Sequence, residues 1–218
     1  MRSDSRFFQA WTLATELVLL NLLMVATGLP VITLGAVLTA GFVSCLHLVT
    51  GRSGRPLRAY LQAFKRAFVP ATVLWLATAA FVALLIWEWL VVGQLASSTL
   101  ALVFRSVLLL AALLLAIVSV WVWPLLARRI INDEPMTIAG LPPLLRSALL
   151  AGIRHLPRSL AASVVVAIPL ALAAISPLVG ARVIIWFVII GLSLACYLIT
   201  LILRVPLGIE LPDDSVDD

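Results

Sequence analysis

The chain has 218 residues, of which 63% are hydrophobic and only 11% are charged, and its mean hydropathy is +1.18. Soluble domains contain about 45–50% apolar and about 25% charged residues, so this composition excludes an ordinary soluble protein and indicates a membrane protein. A spanning helix needs roughly 20 residues. This length therefore accommodates about six spans with short connections and leaves no room for a soluble catalytic domain.

The net charge of +5 does not indicate nucleic-acid binding, because the basic residues flank apolar segments. Basic residues at the cytoplasmic ends of spanning helices produce the same balance through the positive-inside rule. Cys45 and Cys196 lie in separate apolar segments, where thiols act as small apolar side chains, and they predict no disulfide framework.

The first two predicted spans cover residues 11–28 and 31–49 and form a hairpin across a Gly-Leu-Pro turn. Glu16 interrupts the first apolar run and no cleavage site follows it, so we predict a retained span rather than a signal peptide. Ala36, Ala40 and Ser44 recur every four residues on the second span. Small residues at this spacing allow close helix packing, so this helix is predicted to be buried in the bundle.

Two basic amphipathic segments, at residues 56–68 and 142–156, are predicted to be helices lying in the membrane interface. Proline follows the basic residues in both, as Phe64–Pro70 and Gly152–Pro157 show. The similarity is consistent with a parallel internal repeat, and equally with the general tendency of cytoplasmic connections to be basic and amphipathic. The other predicted spans are 69–92, with Pro70 in its first turn, 100–126, 160–179 and 183–203, followed by a disordered acidic tail at 210–218.

The charge distribution predicts the orientation of the chain. If the N-terminus is cytoplasmic, all but two of the 15 Lys and Arg residues lie on the cytoplasmic side, and only Arg105 and Arg182 lie outside. The sequence therefore predicts an all-α integral membrane protein, one membrane domain over 1–218. It has about six transmembrane helices, two cytoplasmic interfacial helices and both termini in the cytoplasm.

Four polar residues are candidates for an intramembrane role. Glu16 lies about 7–8 Å into the first span, where it could couple protons, bind a cation or pair with a basic residue. Asn21, near mid-span, is best explained by hydrogen bonding between helices. Glu88 lies between two tryptophans at the outer interface, with Arg105 on the next span as the expected partner, although hydration alone would also satisfy this carboxylate.

Basic side chains on the two amphipathic segments could dock a partner or bind anionic lipid headgroups, although topology alone would also place them there. These candidates are Arg58, Lys65, Arg66, Arg146 and Arg154. No metal-ligand spacing, paired-carboxylate, Ser/His/Asp or P-loop pattern occurs, and we predict no catalytic residue, no metal and no cofactor.

Several segments resemble the YesL-like family of uncharacterised bacterial membrane proteins, also described as domain of unknown function 624. In the first half these segments are Asn21–Leu23, Leu29–Gly35 and Ala63–Phe68, and in the second half Trp123–Arg128 and Leu149–Leu160. The resemblance implies a multi-pass protein of the bacterial plasma membrane that accompanies carbohydrate ABC-transport systems. It supplies no catalytic residue.

Two functions from different classes follow as hypotheses. The first is a non-enzymatic accessory or regulatory subunit whose partners are the lipid bilayer, with anionic lipids, and the permease subunits of an ABC transporter. The alternative is a small stand-alone transporter or channel in which Glu16 and Asn21 line a path. A membrane-embedded enzyme has no support in the sequence.

Overall fold

The computed structural model describes residues 2–50, 56–94, 98–135 and 137–209, with side chains from residue 11 onward except 56 and 98. Nearly all of these residues are helical and none of them lies in a strand. Within the described ranges, six helical segments are long and apolar enough to cross a membrane. The predicted fold class, an all-α protein with six potential spans, is confirmed. The predicted tail at 210–218 lies outside the described residues.

Eight α-helices form the described part of the chain. They are α1 (Arg2–Gly28), α2 (Leu34–Val49), α3 (Pro56–Val92), α4 (Ser98–Ile131), α5 (Leu141–Arg154), α6 (Leu156–Ile175), α7 (Pro177–Trp186) and α8 (Leu192–Leu203). Short 3-10 turns at Val31–Thr33 and Ile138–Gly140 precede α2 and α5. A π-helical turn at Phe187–Gly191 joins α7 to α8, so these two helices form one long segment.

Helix α2 lies at the centre of the bundle and packs against α1, α3, α4 and α8. Most of its residues are buried, including Ala36, Ala40 and Ser44, as the spacing of small residues predicts. Gly35 makes the closest approach, because a Cβ atom there would collide with the carbonyl oxygen of Ala71 on α3. The absence of a side chain at Gly35 lets the α2 and α3 backbones pack directly against each other.

The hydrophobic core is concentrated at one end of the bundle. Buried apolar side chains cluster on α2 and on residues 60–74 of α3, 117–130 of α4 and 196–207 of the last segment. We call this end the basic end, because it carries Arg58, Lys65, Arg66, Arg128, Arg129, Arg146 and Arg154. The opposite end, which we call the turn end, holds the connections α3–α4 and α6–α7, whereas the α1–α2 connection lies beside the middle of α3, where Gly35 meets Ala71.

Helix α3 contradicts the prediction of a separate interfacial helix at 56–68 followed by a span at 69–92. It runs unbroken for 37 residues, about 55 Å, with Pro70 inside it. The residues change from polar to apolar at Val69, but the helix continues through this position without a break. Pro70 and the following Ala71 are buried beside α2, and this packing holds the helix together where proline removes one hydrogen bond.

The second basic segment does form its own helix, α5, which ends at Arg154 rather than at 156. His155 leaves the helical conformation (φ −115°, ψ 41°) just before Leu156-Pro157, where α6 begins. Helix α5 packs along α4, and the face turned inward carries Leu141, Leu144, Ala148 and Gly152. Other apolar residues of this helix, Leu145, Leu149 and Ile153, are exposed.

The connection between α5 and α6 is fixed to α4 by a buried indole. Trp121 Nε1 donates to Ser159 Oγ at 2.8 Å, and Ser159 Oγ donates to the carbonyl of Gly152 at 2.9 Å. The His155 ring stacks on Trp121 with 5.9 Å between centroids. Gly152 lies so close to Ile117 that an added Cβ would be 2.5 Å from its methyl group.

The last hairpin turns earlier than predicted. Helix α6 ends at Ile175 and α7 begins at Pro177, so both predicted spans are present but the predicted boundary between 160–179 and 183–203 is wrong. Ser176 is the N-cap of α7 and its Oγ accepts from Val179 N at 3.3 Å, with Pro177 in the first helical position. Pro177 therefore starts a helix and does not end one. The predicted fourth span, 100–126, is also longer in the structure, where α4 runs from Ser98 to Ile131.

Candidate functional site

The five basic candidates all lie at the basic end with exposed side chains. Arg58, Lys65 and Arg66 project from the first turns of α3, and Arg146 and Arg154 project from α5. Arg66 lies beside the end of α4, where it meets Asp133, whereas α5 runs back along α4 and Arg154 follows Gly152, which lies against Ile117 in the middle of α4. The five basic side chains form a charged surface and do not converge on one enclosed pocket.

Arg66 is anchored to the segment that follows α4. Its Nη1 donates to Asp133 Oδ1 at 2.5 Å, and Asp133 has a left-handed backbone with φ of 54°. Next to it, Arg129 Nε lies 3.6 Å from Glu134 Oε2, and Arg129 Nη1 donates to the Gly140 carbonyl at 3.2 Å. These contacts link α3 to the connection between α4 and α5. Asp133 was not predicted as a partner of Arg66, because residues 67 positions apart leave no local pattern in the sequence.

We expect the Arg66–Asp133 ion pair to contribute little stability. The two side chains are 59% and 77% exposed, and exposed pairs are typically worth about 0–1 kcal/mol. Asp133→Asn, which suits the left-handed backbone, should therefore change the free energy of unfolding by less than ~1 kcal/mol. A double-mutant cycle with Arg66→Gln measures the coupling, and a coupling above ~2 kcal/mol would contradict this account.

A cavity of about 460 Å³ opens at the basic end between the ends of α2 and α4 and the turn after α8. His47 and Thr50 line it from α2, Arg128 and Asn132 from the end of α4, and Gly208, with φ of 61°, from the last turn. The volume is within the range of ligand pockets, about 300–1,000 Å³. Three helix C-termini meet here, so Arg128 also offsets their partial negative charge.

Asn21 is fully buried and makes three hydrogen bonds to the segment that contains the π-helical turn. Its Nδ2 donates to the carbonyls of Phe187 and Val188 at 2.9 and 2.7 Å, and its Oδ1 accepts from Ser193 N at 2.9 Å. Ser193 Oγ in turn donates to the Leu17 carbonyl at 2.8 Å. A π turn leaves backbone groups without their usual helical partners, and Asn21 satisfies them in a region without water.

Most other buried polar side chains of the described region are also engaged, whereas the buried hydroxyls of Thr72 and Ser163 have no hydrogen-bond partner there. Thr39 and Thr200 donate to carbonyls four residues earlier on their own helices, and Ser44 has an interaction as well. Glu16 is partly buried on α1, five residues before Asn21 and therefore on a different helical face. The structure thus does not bring Glu16 and Asn21 together into one polar path.

The predicted pairing of Glu88 with Arg105 is not found. No ion pair joins them in the described residues; the Arg105 guanidinium lies over the Trp89 ring, 5.5 Å from its centroid. Successive helical residues point about 100° apart, so Trp89 faces α4 while Glu88 is exposed on another face. The described residues also contain no group of three or more His, Cys, Asp or Glu that could hold a metal ion.

Comparison with known proteins identifies one family. The model of a family described as "Protein of unknown function, DUF624" matches residues 17–89, from the middle of α1 to near the end of α3. The resemblance predicted from the sequence is thereby confirmed over this part of the chain. The segments quoted from the second half lie outside the match. No curated protein and no solved structure matches the chain.

Proposed function

We propose that this chain, which shares the sequence pattern of the DUF624 family over residues 17–89, is a non-enzymatic accessory or regulatory subunit of another integral membrane complex. Its setting is the bacterial plasma membrane, with the basic end in the cytoplasm. The permease subunits of a carbohydrate ABC transporter are the partner class that the resemblance implies.

One observation carries the proposal: the helices outside the core have large apolar faces that the chain itself does not cover. Most large apolar side chains of residues 76–91 and 100–114 are exposed, as are many on α6 and α7. Helix α7 packs on α6 and on the π-helical turn, and among the described helices it does not pack on α3 or α4. The α3–α4 and α6–α7 hairpins therefore offer separate surfaces to helices of another membrane protein.

The basic end supports the same proposal from the cytoplasmic side. Helix α5 covers α4 with one face and exposes Leu145, Leu150 and Ile153 on another, beside Arg146 and Arg154. Exposed apolar side chains flanked by arginines suit contact with a protein at the membrane surface, since Arg is enriched in interfaces. A partner could thus contact the chain both within the bilayer and at its cytoplasmic boundary.

A stand-alone transporter has less support. Such a protein needs polar side chains that face a path and can exchange partners with a substrate. Here the amide of Asn21 is fully used by backbone groups, and Glu16 lies on another face. The buried hydroxyls of Thr39, Ser159 and Ser193 also have partners within the bundle, whereas among the described residues those of Thr72 and Ser163 do not.

The proposal is tested by purification of the tagged chain from its native membrane in mild detergent. We expect permease subunits to co-purify, and deletion of the chain to lower carbohydrate uptake. Val107→Trp on α4 and Ile184→Trp on α7 each enlarge an exposed apolar face, and at least one should reduce recovery of the partner. Ala148→Ser, on the face already covered by α4, is the matched control. Purification without any permease subunit, together with unchanged uptake in the deletion strain, would overturn the proposal.

A further inference from the structure

The two hairpins of the turn end each contain an apolar groove between their helices. The first, of about 460 Å³, lies between α3 and α4, with Val82 and Ile86 on one wall and Ala112 and Ala116 on the other. The second, of about 340 Å³, lies between α6 and α7. Both grooves lie along helices that are long and apolar enough to cross a membrane, where hydrocarbon chains surround a spanning helix.

An arginine and a tryptophan lie together at each groove. Arg105 and Trp89 are in contact at the first, and Arg182 and Trp186 both line the second. Arg105 lies seven residues into α4 and Arg182 five residues into α7, about 10 and 8 Å from the turn end of their helices. An arginine beside a tryptophan therefore occurs within about two turns of the start of the second helix in both hairpins, which contact each other through α4 and α6.

Neither arginine has an acidic partner among the described side chains, where the ion pairs involve Arg66 and Arg129. A guanidinium near hydrocarbon is costly unless it finds an anion or reaches the interface. The phosphate of a phospholipid is an anion available at the membrane interface, and guanidinium groups bind phosphate through two parallel hydrogen bonds. An anionic phospholipid offers this phosphate without the choline cation that neutralises it in phosphatidylcholine. Tryptophan beside the guanidinium group suits the boundary between chain and headgroup.

We propose that each groove binds an acyl chain of an anionic phospholipid, whose phosphate is held by Arg105 at the first groove and by Arg182 at the second. The first groove exists because Ala112 and Ala116 present no bulk to α3. The second exists beside Pro169, which lies inside α6 and lines the groove. The inference concerns the leaflet at the turn end and does not depend on the proposed accessory function.

The experiment is native mass spectrometry of the purified full chain after exchange into an equimolar mixture of phosphatidylglycerol and phosphatidylcholine. The wild-type chain should retain up to two phosphatidylglycerol molecules, each enriched about fivefold over phosphatidylcholine. Arg105→Gln and Arg182→Gln should each remove one, and the double variant should show no preference. Arg105→Lys should keep the preference, because it keeps the charge.

Matched variants distinguish lipid binding in the groove from a general attraction of anionic lipid to the positively charged protein. Ala112→Leu fills the first groove and should remove one bound lipid, whereas Ala83→Leu, on an exposed face outside the groove, should not. Arg146→Gln at the basic end should leave the enrichment unchanged.

The proposal is overturned by equal retention of the two lipids in the wild type, by an enrichment that survives the double arginine variant, or by its loss in Arg146→Gln. Displacement of the lipid by inorganic phosphate alone would also overturn it. Unfolding temperatures near that of the wild type establish that each variant is folded.

Discussion

Replacing Gly35 by alanine will destabilise the bundle by about 1–3 kcal/mol or more, the largest effect that we expect from a single added methyl group. The new Cβ would collide with the carbonyl oxygen of Ala71 and would lie 2.8 Å from the Cβ of Trp75. The carbonyl oxygen is part of the α3 backbone and the Cβ atom is bonded directly to it, so neither can move without the helix. Helices α2 and α3 would therefore have to move apart. Thermal unfolding in detergent, followed by tryptophan fluorescence, measures the loss.

Gly28→Ala is the matched control for this prediction. Its added Cβ would meet the end of the Leu34 side chain at 3.3 Å, a flexible group that can move by a few tenths of an ångström. The control should therefore unfold within a few degrees of the wild type. Equal unfolding temperatures for the Gly35 and Gly28 variants would show that α2 and α3 do not approach as closely as described.

Replacing Asn21 by leucine will leave three backbone groups in the apolar interior without their side-chain partner. Each unpaired buried group costs about 1–3 kcal/mol in soluble proteins, but interhelical hydrogen bonds in membranes average about 0.6 kcal/mol. We therefore expect Asn21→Leu to lower the free energy of unfolding by about 1–3 kcal/mol in total. Faster amide hydrogen exchange in the segment 187–193 should accompany the loss, because Asn21 no longer holds the π-helical turn.

Two further variants define the origin of that effect. Asn21→Asp keeps an acceptor for Ser193 N but cannot donate to the carbonyls of Phe187 and Val188, so it should also destabilise the bundle. Thr15→Val removes a hydroxyl that donates only to the Trp11 carbonyl of its own helix at an exposed position, and should have little effect. Wild-type stability and exchange in Asn21→Leu would contradict the structural role assigned to Asn21.

The spans and the buried helix were predictable because they depend on local sequence. Long apolar runs indicate spanning helices in any context, and the small residues of α2 indicate close packing before any partner is known. Helix boundaries were less predictable where proline occurs. Pro70 lies inside a continuous helix, Pro157 follows a break, and Pro177 begins a helix, because packing and capping decide what each proline does.

For the candidate site, the sequence predicted which basic residues are present but not which residues they contact. The basic residues were identified from their position beside apolar segments, but their partners depend on how distant segments meet. Asp133 reaches Arg66 only because α4 ends beside α3, and Asn21 reaches Phe187 only because the last hairpin returns to α1. Arg105 contacts Trp89 and not Glu88 because successive residues of α3 point in directions about 100° apart, and Trp89 is the one that faces α4.

The central claim, that exposed hairpin faces bind another integral membrane protein, is tested most directly by photo-crosslinking in living cells. A photoreactive amino acid is placed at Val107 on α4 or at Ile184 on α7, both more than half exposed, and at buried Leu126 as the control. We predict a covalent adduct with a different membrane protein from at least one exposed position and none from Leu126. Adducts with lipid alone, or only with a second copy of this chain, at both exposed positions would contradict the claim.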